Sequence, residues 1–172
     1  MRFKKVLGKS DLLLRQLEIS DVTNKYINWL HSPEINKFMQ VRINPPNLEE
    51  QKVYVQNCIE SEDEILFGIF ENNVVMIGTL KVTFIDPLNI EIGIMIGEKE
   101  RHGVGVGKKA LNLIIEWARE INLEFLHAGY EIHNIASKNL FKSLGFDVHK
   151  GVINDLLPHE STIIERVWLS VQ

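Results

Sequence analysis

The sequence contains a single cysteine, Cys58, among its 172 residues, so no disulfide can close within the chain. No Cys/His cluster has the spacing of a zinc site, and no metal is expected. Cys58 falls in a helical pattern, and free cysteine is among the most buried residue types, so it reads as a packing residue. Basic excess is missing too: 19 Lys and Arg stand against 23 Asp and Glu, for a formal net charge of -4. Duplex nucleic acid is held mainly through clustered Lys and Arg, which argues against a nucleic-acid partner. No apolar run approaches the ~20 residues needed to span a bilayer, and the basic opening "MRFKKVLGKSD" has no signal-peptide core. The expectation is a cytoplasmic protein with no membrane partner, a monomer or homodimer. Repeats, linkers and low-complexity segments are absent. With 45% hydrophobic and 24% charged residues, the chain fits one globular domain over residues 1–172 with a sizeable core.

Periodicity sketches the elements. "DLLLRQL", Asp11 to Leu17, reads as a strand. Ser20 is placed to cap a helix with Val22, Tyr26, Trp29 and Leu30 at helical spacing, which Pro33 ends. Asn47 and Glu50 stand at capping-box spacing before a second helix, whose inner face is expected to carry Leu48, Val55 and Ile59. A meander follows: "ILFGIFE", a turn at Asn72 and Asn73, "VVMIGTLKVTFI", the turn "DPLN", and "IEIGIMIG". The next helix, from about Gly105 to Glu120, turns Val106, Ala110, Ile114 and Trp117 inward and Lys108, Lys109, Asn112, Glu116 and Arg119 to water. "LEFLHAGYEIH" is a further strand, Asn134 caps a helix "IASKNLFKSL" that Gly145 ends, and two strands around Phe146 to Ile153 and Thr162 to Val171 complete the chain.

The most telling stretch is "HGVGVGKKA" between a strand and a helix. Glycines at 103, 105 and 107 permit positive φ and close backbone approach. Unpaired amides converge at a helix N-terminus, where the dipole adds partial positive charge, and phosphate is the natural guest. The spacing fits neither the nucleotide-triphosphate loop nor G-x-G-x-x-G.

Followed one strand later by "NIASKNLFKSLGF", this stretch resembles the two acetyl-CoA motifs of the GNAT superfamily of N-acetyltransferases. "LLLRQLEISDVTNKYINWLHSPEINKFM" is similar to the opening of the branch holding ribosomal-protein N-terminal and bacterial amino-sugar and polyamine acetyltransferases. The resemblance implies an α+β fold with a mixed, mostly antiparallel sheet splayed between two strands and flanked by about four helices. It implies acetyl-CoA as co-substrate, with its pyrophosphate on His102, Gly103, Val104, Gly105, Val106, Gly107 and Lys108. The pantetheine arm would run along the strand Glu91 to Ile96, contacting Ile94, Met95 and Ile96, with Asn134 and Asn139 or Ser137 at the border of the cleft. The chain departs from the family at Phe141, where many members carry the tyrosine that protonates the leaving thiolate, and at His102, where Gln or Arg is usual beside Arg101.

Acetyl transfer to an amine needs a neutral amine, a stabilised oxyanion and a proton for sulfur. Glu91, two residues before Gly93, is the expected catalytic carboxylate; His133 and Glu131 near the end of the opposing strand are alternatives. Ser137 or Tyr130 would replace the missing tyrosine, and the Met95 amide or a neighbour would take the oxyanion. His31, His127, His149 and His159 have no motif support. On the acceptor side, Trp29, Phe38 and Met39 offer apolar surface and Arg42 a fixed cation, a combination suited to a nucleotide-linked amino sugar or other small metabolite. A protein N-terminus of the ribosomal type is the alternative acceptor, and a non-catalytic acyl-CoA-binding module, favoured by Phe141, is the alternative of another class.

Overall fold

The computed structural model describes residues 6–9, 11–149 and 163–172. Its frame is one eight-stranded sheet in the order β1-β2-β3-β4-β5-β6-β8-β7. The strands are β1 (Val6–Lys9), β2 (Leu12–Gln16), β3 (Glu64–Glu71), β4 (Val75–Asp86), β5 (Asn89–Ile96), β6 (Phe125–Glu131), β7 (Asp147–Val148) and β8 (Ile164–Ser170). β1 to β5 form an antiparallel meander, β5 and β6 run parallel, and β6–β8–β7 are antiparallel again. The α-helices are α1 (Asn24–His31), α2 (Pro33–Asn36), α3 (Leu48–Glu60), α4 (Val106–Glu120) and α5 (Ile135–Ser143).

Alternation along the strands splits the core in two. One face packs Leu14, Phe67, Leu80, Val82, Ile90, Ile92 and Leu126 against Ala110, Leu111, Ile114 and Trp117 of α4. The other packs Leu17, Leu66, Phe70 and Met95 against Tyr26, Trp29 and Leu30 of α1 and Val55 and Cys58 of α3. The parallel β5–β6 pair needs a long crossover, which α4 supplies. Both expected faces of α4 are present: Val106, Ala110, Ile114 and Trp117 are buried, and Lys108, Lys109, Asn112, Glu116 and Arg119 are exposed. The β3–β4 turn places Asn72 and Asn73 at φ 50 and 63, a left-handed conformation asparagine tolerates. The capping box of α3 is complete: Asn47 Oδ1 accepts from the Glu50 amide at 3.0 Å, and Glu50 Oε2 accepts from the Asn47 amide at 2.8 Å.

The N-terminal region differs from expectation in four places. β1 pairs with β2, adding an edge strand where only a basic stretch was read. Ser20 lies in a 3-10 turn (Ile19–Asp21), held by a reciprocal box between Glu18 and Asp21, and α1 starts after Thr23. Ile59 is 38% exposed, because the inner face of α3 is set by Gln51, Val55 and Cys58. Pro33 does not merely stop a helix; it occupies the first turn of α2, where its missing N–H costs nothing. The end of the expected strand Phe146 to Ile153, the residue Thr162 and His159 lie outside the described residues.

Candidate functional site

β5 and β6 pair in parallel over four positions, from Asn89↔Phe125 to Ile92↔Ala128, and then part. Each follows its other neighbour: β5 stays with β4 as far as Ile96↔Gly78, and β6 stays with β8 as far as Glu131↔Ile164. The gap opens into a cleft of ≈ 610 Å³. Its lining includes Gly93, Ile94 and Met95 of β5, Gly129, Tyr130 and Glu131 of β6, and Asn134 and Ser137 at the start of α5. The opposite wall is Tyr26, Leu30, Phe38, Met39, Val41, Pro46, Gln51 and Tyr54, with Leu66, Thr79 and Lys81 beneath.

The edge of β5 along this gap carries unspent backbone groups. The Gly97 amide donates to the Ile77 carbonyl at 2.8 Å, and successive residues alternate sides along a strand. Met95 therefore turns its amide toward β4, and the amides of Ile94 and Ile96 face the open side. The His102 ring closes off the far end, with Nε2 2.8 Å from the Ile96 carbonyl oxygen.

Just beyond lies the start of α4. Gly103 and Gly105 adopt φ +74 and +86, and a Cβ on either would meet nothing within 4 Å. The first helical bond at this end runs from the Lys109 amide to the Gly105 carbonyl at 3.1 Å. Ahead of it, among the described residues, residues 102–105 form a loose turn and the amides from Gly103 to Lys108 make no close backbone hydrogen bond. The third glycine has another cause: a Cβ on Gly107 would lie 3.3 Å from Leu140, so it lets α4 pack against α5. Side chains add little to this nest. Lys108 Nζ bonds the Ser143 carbonyl at 3.2 Å, and Arg101 pairs with Glu71 at 2.8 Å. Val104 and Val106 flank the glycines, the first exposed and the second buried.

The expected site residues divide. Ile94, Met95, Asn134, Ser137 and Phe38 line the cleft together. Asn134 also caps α5, its Oδ1 accepting from the Ser137 amide at 3.1 Å. Asn139 lies further along α5, exposed and outside the lining. Trp29 is packed beneath the wall, its ring against Gly97, where a Cβ would lie 2.0 Å from it; Tyr26 and Leu30 of the same helix reach the cleft. Arg42 bonds the Met39 carbonyl at 3.3 Å and is not among the lining residues. His133 is exposed on the rim, its amide donating to Glu131 Oε2 at 3.1 Å.

The two candidate carboxylates differ sharply. Glu91 lies on the still-paired part of β5 and holds Arg166 Nη1 at 2.5 Å. Glu131, only 8% exposed, lines the cleft on the opposite strand. Phe141 is buried, stacked on Tyr130 at 6.0 Å and edge-on to Phe146 at 5.1 Å. The Tyr130 hydroxyl donates to Glu165, and its pKa is driven above the ordinary tyrosine range by burial and by that carboxylate.

Several lining residues were not read from the sequence. Tyr26 accepts from Gln51 Nε2 at 3.0 Å, and burial pushes its pKa up, so it remains a neutral phenol. Lys81 pairs with Glu64 at 2.7 Å and lies 5.5 Å from the Tyr54 ring. Burial works against its charge, yet Glu64 and Tyr54 hold its pKa above the usual lysine value. A lysine alternating with apolar residues in "TLKVTF" was the available signal; only the register could place it under the cleft.

Comparison with known proteins gives a consistent picture. The model of the acetyltransferase (GNAT) domain matches residues 11–147. An uncharacterized protein of Methanocaldococcus jannaschii, MJ1062, is 30% identical over 143 residues, 83% of this chain; the match spans 29% of that relative's length. Spermidine N-acetyltransferase from Vibrio cholerae, solved with CoA and spermine, superposes with a TM-score of 0.80 at 18% identity, covering 94% of this chain and 96% of that one. An acetyltransferase of Salmonella typhimurium that modifies the N-terminal serine of ribosomal protein L7/L12 gives 0.82 at 18% identity, over 97% and 99% of the two chains. At such identities the structural likeness speaks for the fold. Among the described residues no helix is long and apolar enough to cross a membrane, and no group of three or more His, Cys, Asp or Glu side chains could hold a metal.

Proposed function

The chain belongs to the GNAT acetyltransferase family, and from that premise we propose that it moves an acetyl group from acetyl-CoA to the primary amine of a small hydroxylated metabolite, a nucleotide-linked amino sugar being the type the cleft suits best. The observation that carries the donor half is the run of amides from Gly103 to Lys108, without close backbone hydrogen bonds, next to the open edge of β5. Six consecutive N–H groups at a helix start suit a pyrophosphate, and the Ile94 and Ile96 edge suits an extended arm that pairs as an added strand. Acetyl-CoA supplies the activated acyl carbon.

The chain's own residues supply the rest. Glu131, buried and facing the cleft, takes the proton that the amine gives up. The Ile94 amide, rather than that of Met95, is the backbone donor available to the acyl oxygen. Ser137 is the hydroxyl left to return a proton to sulfur, since Phe141 has none and Tyr130 is committed to Glu165. A free α-amino group or sugar amine with pKa near ~8 costs about 1.4 kcal/mol to deprotonate at pH 7, against roughly 4.6 for a lysine-like amine at ~10.4. A single carboxylate therefore serves weakly basic amines best.

The acceptor half rests on the lining. The ionisable groups there are Glu50, Glu131, Lys81 and three tyrosines, and Glu50 is spent on capping α3. A polyamine would bring further ammonium groups against Lys81 with one carboxylate to receive them, whereas Thr79, Tyr26, Gln51 and Tyr54 offer neutral hydrogen-bonding groups beside apolar surface. The test is a thiol-release assay over nucleotide-linked amino sugars, free amino sugars, polyamines and N-terminal peptides. The reading expects the highest kcat/KM for a sugar nucleotide; a peptide or polyamine preferred by more than tenfold refutes it.

A further inference from the structure

At the level where β5 and β6 part, the register lines up one row of residues across the acceptor face. Lys81 of β4 pairs with Gly93 of β5, and Gly129 of β6 pairs with Arg166 of β8. The parallel ladder stops at Ile92↔Ala128, so Gly93 and Gly129 are the next residues on either side of the opening. The row reads Lys81, Gly93, Gly129, Arg166: two positions with no side chain between two cations. Each cation is steadied by a carboxylate, Lys81 by Glu64 at 2.7 Å and Arg166 by Glu91 at 2.5 Å.

The glycines differ in a way that matters. A Cβ on Gly129 would lie 3.1 Å from Arg166 Nη1, so the guanidinium leans over that strand toward the opening. A Cβ on Gly93 would meet nothing within 4 Å, and its φ is not in the left-handed region. Neither packing nor backbone strain requires glycine at 93. Both glycines and Lys81 line the cleft, whereas Glu91 lies one alternation below them.

We infer that Gly93 and Gly129 form the bare floor over which the acceptor reaches the donor, that Lys81 and Arg166 bound this trough, and that Lys81 selects an amine whose carrier bears a phosphate ester. This rests on the acetyltransferase reading above. Lys81 lines the cleft, and an ammonium with three donors holds a second anion beside its carboxylate. Glu64 and Glu91 are positioning residues: they fix the two cations at the trough's edges. A phosphate ester is carried by a nucleotide-linked amino sugar and by a simple amino-sugar phosphate alike, and the two are separated by assay.

Steady-state kinetics of the intact chain test this with nucleotide-linked amino sugar, amino-sugar phosphate, free amino sugar and spermidine as acceptors. Lys81→Gln is expected to raise KM for the phosphorylated acceptors by ~10-fold or more, the loss typical of one charge-assisted bond. KM for the free amino sugar and for acetyl-CoA should stay within twofold. Gly93→Val, which suits a strand and meets no protein atom at its Cβ, should raise KM for every acceptor and leave the melting temperature and acetyl-CoA affinity unchanged. A rise confined to the nucleotide-linked acceptor identifies that source; an equal rise for the sugar phosphate shows that the ester alone suffices. Unchanged acceptor KM in both variants, or an equal rise in acetyl-CoA KM, overturns the trough while leaving the family activity standing. Absence of turnover with any amine would instead overturn the acetyltransferase reading itself.

Discussion

Gly105→Ala separates the cost of a strained backbone from the loss of an anion site. Gly105 has φ +86, and its Cβ would meet nothing within 4 Å, so the substitution adds strain without a clash. An L-residue in the left-handed region costs roughly 1–2 kcal/mol, and a chain of this size loses about 2–4 °C in melting temperature per kcal/mol. Gly145, just past the end of α5, has φ +85 and only an ordinary 3.8 Å contact to Leu169, so Gly145→Ala pays the same strain at a place with no phosphate to hold. The two variants should therefore melt alike, a few degrees below the parent. Their affinities should part: relaxing φ at 105 swings the peptide planes that carry the amides next to it, and each charge-assisted bond lost is worth about 1.5–3 kcal/mol, or ~10-fold and more in Kd. Calorimetric titration with acetyl-CoA reads the difference. If both variants bind as tightly as the parent within twofold while showing the expected melting shift, the amides of the α4 start are not the coenzyme's phosphate site.

Glu131→Gln should lower kcat by ~100-fold or more with its largest effect on the limb of the pH profile that reports the base, whereas Glu91→Gln should act mainly on acceptor KM through Arg166; the reverse ranking returns the base to Glu91. His127 has its pKa lowered by burial and by stacked His149, with Arg166 adding to this and Glu91 and Asp86 opposing it. As pH falls below ~6.5 the unfolded chain takes that proton first, so stability drops; His127→Gln should lose less stability than the parent between pH 7 and pH 5 in urea melts, and parallel losses would refute this. Cys58 is 1% exposed and burial pushes its thiol pKa up, so a disulfide reagent should modify it only on unfolding, in denaturant, and rapid reaction of the native chain would contradict its packing role.

The elements were legible wherever the signal is local. α4 has a clean apolar stripe, the asparagine pair needs left-handed φ, and the box at Asn47 and Glu50 closes on itself within four residues. The failures are equally physical. Ser20 and Thr23 are both good caps, and the choice went to Thr23 because Glu18 and Asp21 had already folded the chain around Ser20 into a 3-10 turn. Ile59 matches the helical period but lies beyond the reach of the sheet, where the neighbouring Cys58 takes the inner position beside Val55. β1 has four residues and gains its place from pairing with β2, a contact that no pattern in "VLGK" announces.

The site shows the same division at finer grain. The proposed phosphate nest is built from consecutive residues, so its glycines and the helix that follows could be read in one line of sequence. The proposed acceptor trough is built from positions 81, 93, 129 and 166, and only three registers taken together bring them into one row. Glu91 illustrates the limit. Alternation puts it on the correct face of the correct strand, two residues from the glycine at the opening, yet the parallel ladder continues through Ile92 and leaves Glu91 on the closed side, opposite His127 and bonded to Arg166. Two fewer residues of pairing would move the mouth of the cleft back by a full side-chain period and bring Glu91 to the opening. What decides which carboxylate faces the cleft is thus where β5 and β6 stop pairing, a balance between two strands each held by a different neighbour, and that balance is written in β4 and β8 rather than in the motif itself.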